Sequence, residues 1–361
     1  MTSPSFFRAH LYTLNKEQLT VNRGSGLEYG RNRFLKGKNM RRYIIKRLLA
    51  LIAIMFCVSV IIFTIMYFVP GDPALIVLGS SSTVAEREAY RNTLGLNDPY
   101  LIQLGRYLYQ TFIKLDLGNS YITKAPILTE FALRVPRTFI LGMICLIINV
   151  IIGIPLGITC ALNQNSWIDH LISVLAMIGV AIPGFWLAML MVQFFSQELG
   201  WLPPMGIDSW KCWIMPVVAG ALGGIANNLR MTRSAVLETV RADFVTTARA
   251  KGLAEKKVTY KHMLPNALIP ILNQLGGQFG MIISGTVVIE TVFSFPGVGT
   301  YMLSGISNRD YPVVRGCVLI LAIFSAAAVL LVDLAYGLID PRIKAQYVSY
   351  AAKKGGKKNG K

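Results

Sequence analysis

Long apolar runs restrict the fold of this chain more than any other feature. Leu48 to Val69 is interrupted only by Ser59 and Thr64, and comparable runs cover Thr138 to Ala161 and Leu171 to Phe195. Less clean runs follow at Trp213 to Leu229, Ala267 to Phe293 and Gly316 to Ile339. The fifth carries Asn273, Gln274 and Gln278, and the sixth holds Asp333 near its end. A helix rises about 1.5 Å per residue, so about 20 apolar residues cross the ~30 Å hydrocarbon layer of a bilayer. Backbone groups in lipid must pair within their own segment, which makes such a run a helix. Six membrane-spanning helices are expected.

Charge then orients the spans. The chain is 53% hydrophobic and 15% charged, where soluble domains carry about 25% charged residues. Its formal net charge of +18 is concentrated: the first 47 residues hold 11 Lys and Arg, Arg230 to Lys261 hold 8, and Arg342 to Lys361 hold 7. Six spans put all three clusters on one side, and Lys- and Arg-rich loops stay in the cytoplasm. The charge therefore reads as a topology signal, with no nucleic-acid surface. The expected organisation is a cytoplasmic tail over 1–42, a first span over 43–69 and an extracytoplasmic helical segment over 70–135. A core over 136–339 follows, with a basic loop at about 230–265, and then a cytoplasmic basic tail over 340–361. Both tails read as solvated and disordered.

The extracytoplasmic segment is too long for a turn. "VPGDP" stops the first helix, and Ala85 to Leu94 has helix-forming composition. Asp98 followed by Pro99 predicts a capped helix start, after which Leu101, Leu104, Leu108 and Phe112 recur at helical spacing. A small helical cap is expected.

The basic loop includes "ADFVTTARAKGLAEKKVTYKHMLPN", from Ala242 to Asn266. Val236, Val240, Phe244 and Ala248 fall at four-residue steps and predict one narrow apolar stripe. Ala248 and Ala250 keep the next turn slim, Gly252 ends or kinks it, and Pro265 and Pro270 limit the helix on re-entry. Helix connections usually take about 2–8 residues, so a structured piece of this length reads as a docking element.

Motifs for chemistry in the chain itself are missing from the sequence. His10, His170 and His262 are far apart, the five cysteines (Cys57, Cys145, Cys160, Cys212, Cys317) show no paired spacing, and no GxxxxGK[ST] phosphate loop occurs. Glu290 and Asp333, the acids inside the expected spans, lie near span ends. An ion-coupled transporter keeps its ionisable groups near mid-membrane, so that class fits poorly. Asn149, Gln193, Asn227, Asn228, Asn273, Gln274 and Gln278 are the polar residues available to line a path. Hydrogen bonding between helices is the equal alternative.

Several stretches carry a family resemblance: "ARAKGL", "HMLPNALIPI", "VVIETVFSFPGVG", "NRDYPVVRG", "VDLAYGLIDPRI" and, after the first span, "VPGDP". Together, over about residues 40 to 345, they resemble the B-type permease subunit of the dipeptide, oligopeptide and nickel branch of ABC importers. The family's coupling pattern is E-A-A, three residues, Gly, nine residues, then I-x-L-P. The matching positions here are Thr246, Thr247, Ala248, Gly252, His262, Leu264 and Pro265. Glu, the first Ala and Ile are replaced. The resemblance implies an all-α polytopic membrane protein with six transmembrane helices, in the type I importer permease fold with cytoplasmic coupling helices. It implies a C-type permease partner, two cytoplasmic ATPase subunits that bind ATP and Mg, and an extracytoplasmic substrate-binding protein. This chain would hold no cofactor and sit in the inner membrane with both termini cytoplasmic. The substrate would be a di- or oligopeptide, with nickel as the alternative. Glu290, Phe295 and Pro296 of "ETVFSFPGVG", and Asp310 of "NRDYP", would shape the outer mouth.

Overall fold

The computed structural model describes residue 45 and residues 47–339. The two tails, His10 and the "DPR" at 340–342 lie outside the described residues. The helices in chain order are α1 (Arg47–Phe68), α2 (Pro73–Leu78), α3 (Val84–Leu94), α4 (Tyr100–Phe112), α5 (Ile127–Leu162) and α6 (Trp167–Ala181). They continue with α7 (Gly184–Met191), α8 (Lys211–Val240), α9 (Asp243–Ala250), α10 (Glu255–Lys257), α11 (Leu264–Val292), α12 (Val298–Ser307) and α13 (Tyr311–Ile339). Wider π-type turns extend α7 over Val192–Glu198 and join α10 to α11 over Val258–Met263. The chain divides after Ile54 into two units, and apart from the extent of α1 the description below concerns the second.

Four of the described helices are long and apolar enough to cross a membrane: α1, α5, α8 and α13. The third expected span differs from its prediction. It breaks between α6 and α7 with a bend of 95°, and the two halves make a fifth crossing only if counted together. Pro183 explains the break. It lacks an N–H, and it drives the preceding residue out of helical geometry, so Ile182 is extended at φ −79° and ψ 120°. The fifth expected span is one helix of 29 residues, α11. Its sequence holds three amides and four glycines between Asn273 and Gly285. Helix α8 runs on to Val240, well past the expected end at Leu229, because Arg230 to Thr239 contains no helix breaker.

The interior is organised on the seam between α5 and α8. Gly153 and Gly157 lie one turn apart on α5 with no room for a side chain. A Cβ at Gly153 would stand 2.8 Å from the Ile225 carbonyl oxygen, and one at Gly157 2.6 Å from the Leu229 carbonyl oxygen. Small residues at this spacing let helix backbones touch in a medium where apolar burial no longer discriminates protein from solvent. The reciprocal position on α8 is Gly224, whose missing side chain makes room for the Asn149 amide. With its nitrogen turned to the neighbouring carbonyls, Asn149 donates to Ala221 O at 2.7 Å and Cys145 O at 3.1 Å.

The segment before α5 is helical as expected. Thr83 and Glu86 form a reciprocal capping box on α3. Asp72 caps α2 through Ala74 N and reaches Arg91 of α3 at 2.7 Å, and the hydrogen-bonded guanidinium holds its carboxyl below the usual range. Asp98 does not cap α4, contrary to its sequence setting. Pro99 takes the cap position without a side-chain bond, and Asp98 instead pairs with Arg106 one face along.

Overfilling the seam is expected to be costly. Gly157→Leu should destabilise the subunit by about 1–3 kcal/mol or more, since a packed interface accommodates added methylenes poorly. Gly277→Ala, where an added Cβ meets nothing within 4 Å, should be close to neutral. Thermal melts of the two detergent-solubilised variants check this. Equal melts would show that the seam is not close-packed.

Candidate functional site

The connection between α8 and α11 is built inside out. Val236 of α8, Val245 and Ala248 of α9, Val258 and Met263 of the π-type turn, and Ala267 of α11 form one buried cluster with Ala161 at the end of α5. The turn at Arg241–Ala242 resets the helical register. As a result Val245 replaces Phe244 in the apolar stripe, and Phe244 faces outward. Ala248 is likewise turned inward, so its small size serves packing within the chain rather than approach of a partner.

Gly252 is exposed, with φ +71°, and an added Cβ there would meet nothing. Backbone handedness favours glycine at this position, since left-handed geometry costs other residues roughly 1–2 kcal/mol. Arg249 and Glu255 hydrogen-bond across this turn at 3.1–3.2 Å, which lowers the Glu255 pKa. Thr246 and Thr247 are exposed on the outward face of α9, beside Arg249 and Lys251. His262 is half-buried and its carbonyl accepts from the Asn266 amide at 2.7 Å. Leu264 packs against the cluster, and Pro265 stands exposed in the first turn of α11, where a missing N–H costs nothing. The result is a rigid basic projection.

A cavity of about 590 Å³ lies where the broken span meets α5, α8 and α11. Asn149, Asn227 and Gln278 line it, together with Pro183 and Gly184 at the break. Asn228 is buried instead and accepts a hydrogen bond from Gln278 Nε2 at 2.8 Å. Gln274 is half-buried and Gln193 exposed, both outside the cavity wall. The Asn273 side chain lies outside the described residues. Three of the seven path candidates thus come together around one space.

The four outer-mouth candidates gather near the α11–α12 and α12–α13 turns, and three of them are buried. Glu290 is 0% exposed and accepts from Gly299 N at 2.7 Å. Thr138 Oγ1 accepts from Val298 N at 2.9 Å beside it. Gly297 and Gly299 have no room for a Cβ against the Glu290 carboxyl. Phe295 is buried edge-on to Trp213, with ring centroids 4.9 Å apart. Half-buried Pro296 offers its carbonyl to Arg137. Asp310 accepts from Ser120 Oγ and Tyr121 N, pinning the loop before α5 to the start of α13. Glu290 and Asp310 are internal fastenings in this chain.

Residues 153–345 match the family described as "Binding-protein-dependent transport system inner membrane component", and residues 40–142 match its N-terminal membrane component. The chain belongs to this family. Among relatives, a protein named "Dipeptide transport system permease protein DppB" from Alkalihalophilus pseudofirmus is 38% identical over 333 residues, covering 84% of this chain and 100% of the relative. "Glutathione transport system permease protein GsiC" from Escherichia coli O6:H1 is 38% identical over 305 residues, covering 84% and 99%. A solved structure of the inward-facing MetNI methionine ABC transporter aligns with a TM-score of 0.51 at 18% identity, over 58% of this chain and 96% of that one. It supports the permease fold. The chain is an integral inner-membrane transport component.

One important contact was not anticipated from sequence. Asp169, 1% exposed, receives both Arg233 Nε and Arg233 Nη2 at 2.7 Å, and it also accepts from Asn165 N and Ser173 Oγ. The pair ties the first turn of α6 to the part of α8 that leads into the basic projection. Ser166, three residues before Asp169, caps α6. That Ser-x-x-Asp spacing was the available signal, but Arg233 read only as one basic residue in a cluster. Asp169→Asn should cost about 2–4 kcal/mol by stranding the guanidinium. A second change, Arg233→Gln, should recover part of the loss. A double variant no more stable than Asp169→Asn in thermal melts would show that the two side chains act independently.

Proposed function

We propose that this chain is the B-type permease subunit of an ATP-driven importer of short peptides, forming half of the path beside a C-type permease subunit. The observation that carries the reading is the projection between α8 and α11. It is a basic, exposed surface fastened by one buried cluster to the ends of α5, α8 and α11. Such a piece transmits force because pushing it moves three helices together. Two cytoplasmic ATPase subunits, holding ATP and Mg, supply the push at Thr246, Thr247, Gly252 and the neighbouring basic residues. The helices then rock between two arrangements, with the cavity bordered by Asn149, Asn227 and Gln278 on the route of the peptide. An extracytoplasmic binding protein selects the cargo.

The topology in this reading has six crossings: α1, α5, the α6–α7 pair, α8, α11 and α13. Both termini and the α8–α11 projection face the cytoplasm. Peptide is favoured as cargo by the names of the relatives, and amide-lined walls suit a peptide backbone.

Liposomes holding the complete transporter test the cargo and the drive together. ATP-dependent uptake of labelled dipeptide is expected. Uptake without ATP, or uptake of nickel with no uptake of peptide, would overturn the proposal. Gly252→Asp tests the handle. Aspartate tolerates the left-handed backbone better than most residues and meets no neighbour, so the variant should insert and assemble. It places a negative, bulkier group on the docking face and should bring uptake to background while ATP hydrolysis continues. Normal uptake by an assembled Gly252→Asp transporter counts against the projection as the handle.

A further inference from the structure

The segment between α1 and α5 reads from sequence as an extracytoplasmic cap, yet one of its helices is clothed for hydrocarbon. We propose that α4 dips into the bilayer beside α1, with its outward face among lipid acyl chains in the leaflet at the Phe68 end of α1.

Placement is the first ground. Helix α4 runs antiparallel along the second half of α1. The Tyr100 hydroxyl hydrogen-bonds Thr64 Oγ1 at 2.8 Å, the Tyr107 ring stacks on Phe63 at 5.4 Å, and Phe112 meets Phe56 at 6.2 Å. Thr64 and Phe56 are two turns apart on α1, so α4 descends roughly 12 Å along an apolar membrane-crossing helix. Ser59 and Thr111, both buried, lie beside the Tyr107 hydroxyl in this seam. Arg315 of α13 sits over the Phe63 and Tyr107 rings at 5.3 and 4.9 Å, and so holds the pair against the bundle.

The outward surface is the second ground. At about 100° per residue, Tyr100, Leu104, Tyr107 and Thr111 share the face turned to α1. Ile102, Tyr109 and Ile113 fall on the opposite arc and are 53%, 54% and 69% exposed, and Leu101, on the flank, is 74% exposed. Within α4 the amide and charged side chains, Gln103, Arg106 and Gln110, keep to one edge, Asp98 neutralises Arg106, and just past the helix end Lys114 sits over the Tyr109 ring. A helix capping a water-exposed surface turns its polar residues outward. An apolar outward arc with a narrow polar edge is the pattern of a helix that turns its outer side to acyl chains. Over the same depth α1 itself exposes Ile61, Ile65 and Phe68, so the two helices present one kind of surface. The occupant this fits is lipid.

Nitroxide labels test the assignment in the complete transporter reconstituted in liposomes, in a Cys57→Ala background that removes the one exposed cysteine among the described residues. Leu101→Cys, Ile113→Cys and, on α3, Thr93→Cys carry the labels singly. Labels at Leu101 and Ile113 should collide with molecular oxygen in preference to a water-soluble nickel chelate, and the label at Thr93 should show the reverse preference. Preference for the chelate at Leu101 and Ile113 would place the arc in water and overturn the proposal. Shielding from both reagents would place the arc under a protein partner and also overturn it. The outcome does not depend on which cargo the transporter carries.

Discussion

Contact between the backbones of α5 and α8 is the constraint on which the other parts depend. Gly153 and Gly157 bring α5 within van der Waals distance of the Ile225 and Leu229 carbonyls, and Gly224 returns the favour by admitting Asn149. Apolar side chains gain little by leaving lipid for protein, so close approach and amide hydrogen bonds must supply what burial supplies in water. The polar groups at this seam therefore join the helices and border the cavity as well. Asn149 donates to the α8 backbone and also forms part of the cavity wall.

From that seam α8 continues without a break into the basic projection, and the two ends of the helix serve different neighbours. Its early half packs under α7 and α11 through Met215 and Ala219. Its late half carries Arg233 to Asp169 and Val236 into the cluster beneath α9. A continuous helix passes axial and tilting displacement along its length, which suits a subunit that belongs to a family of transport components and has its exposed basic surface at one end.

Much of this architecture was legible in the residue order. Five of the six apolar runs appear as single helices, and the glycine break and the proline re-entry stand at Gly252 and Pro265 as the spacing implied. The unread parts have physical causes. Hydropathy is blind to a proline that breaks a run without changing its apolar content, so the bend at Pro183 was missed. Four-residue periodicity assumes an unbroken helix, and the turn at Arg241 moved the buried stripe from Phe244 to Val245. An ion pair between residues 64 positions apart leaves no local pattern, so Asp169–Arg233 stayed invisible. Polar residues in spans read equally as path lining or as bonds between helices, and sequence could not separate Asn227, which lines the cavity, from Asn228, which is bonded to Gln278.

The bend at Pro183 gives the two halves of one apolar run separate anchorages. Helix α6 is bolted to the late half of α8 by the Asp169–Arg233 clasp, while α7 rests on the early half of α8 and the far end of α11 through Ala188 and Met191. The cavity wall at Ile182–Gly184 is the joint between them. The two halves of the broken span are thus anchored to different stretches of α8, and the cavity wall falls between the two anchor points.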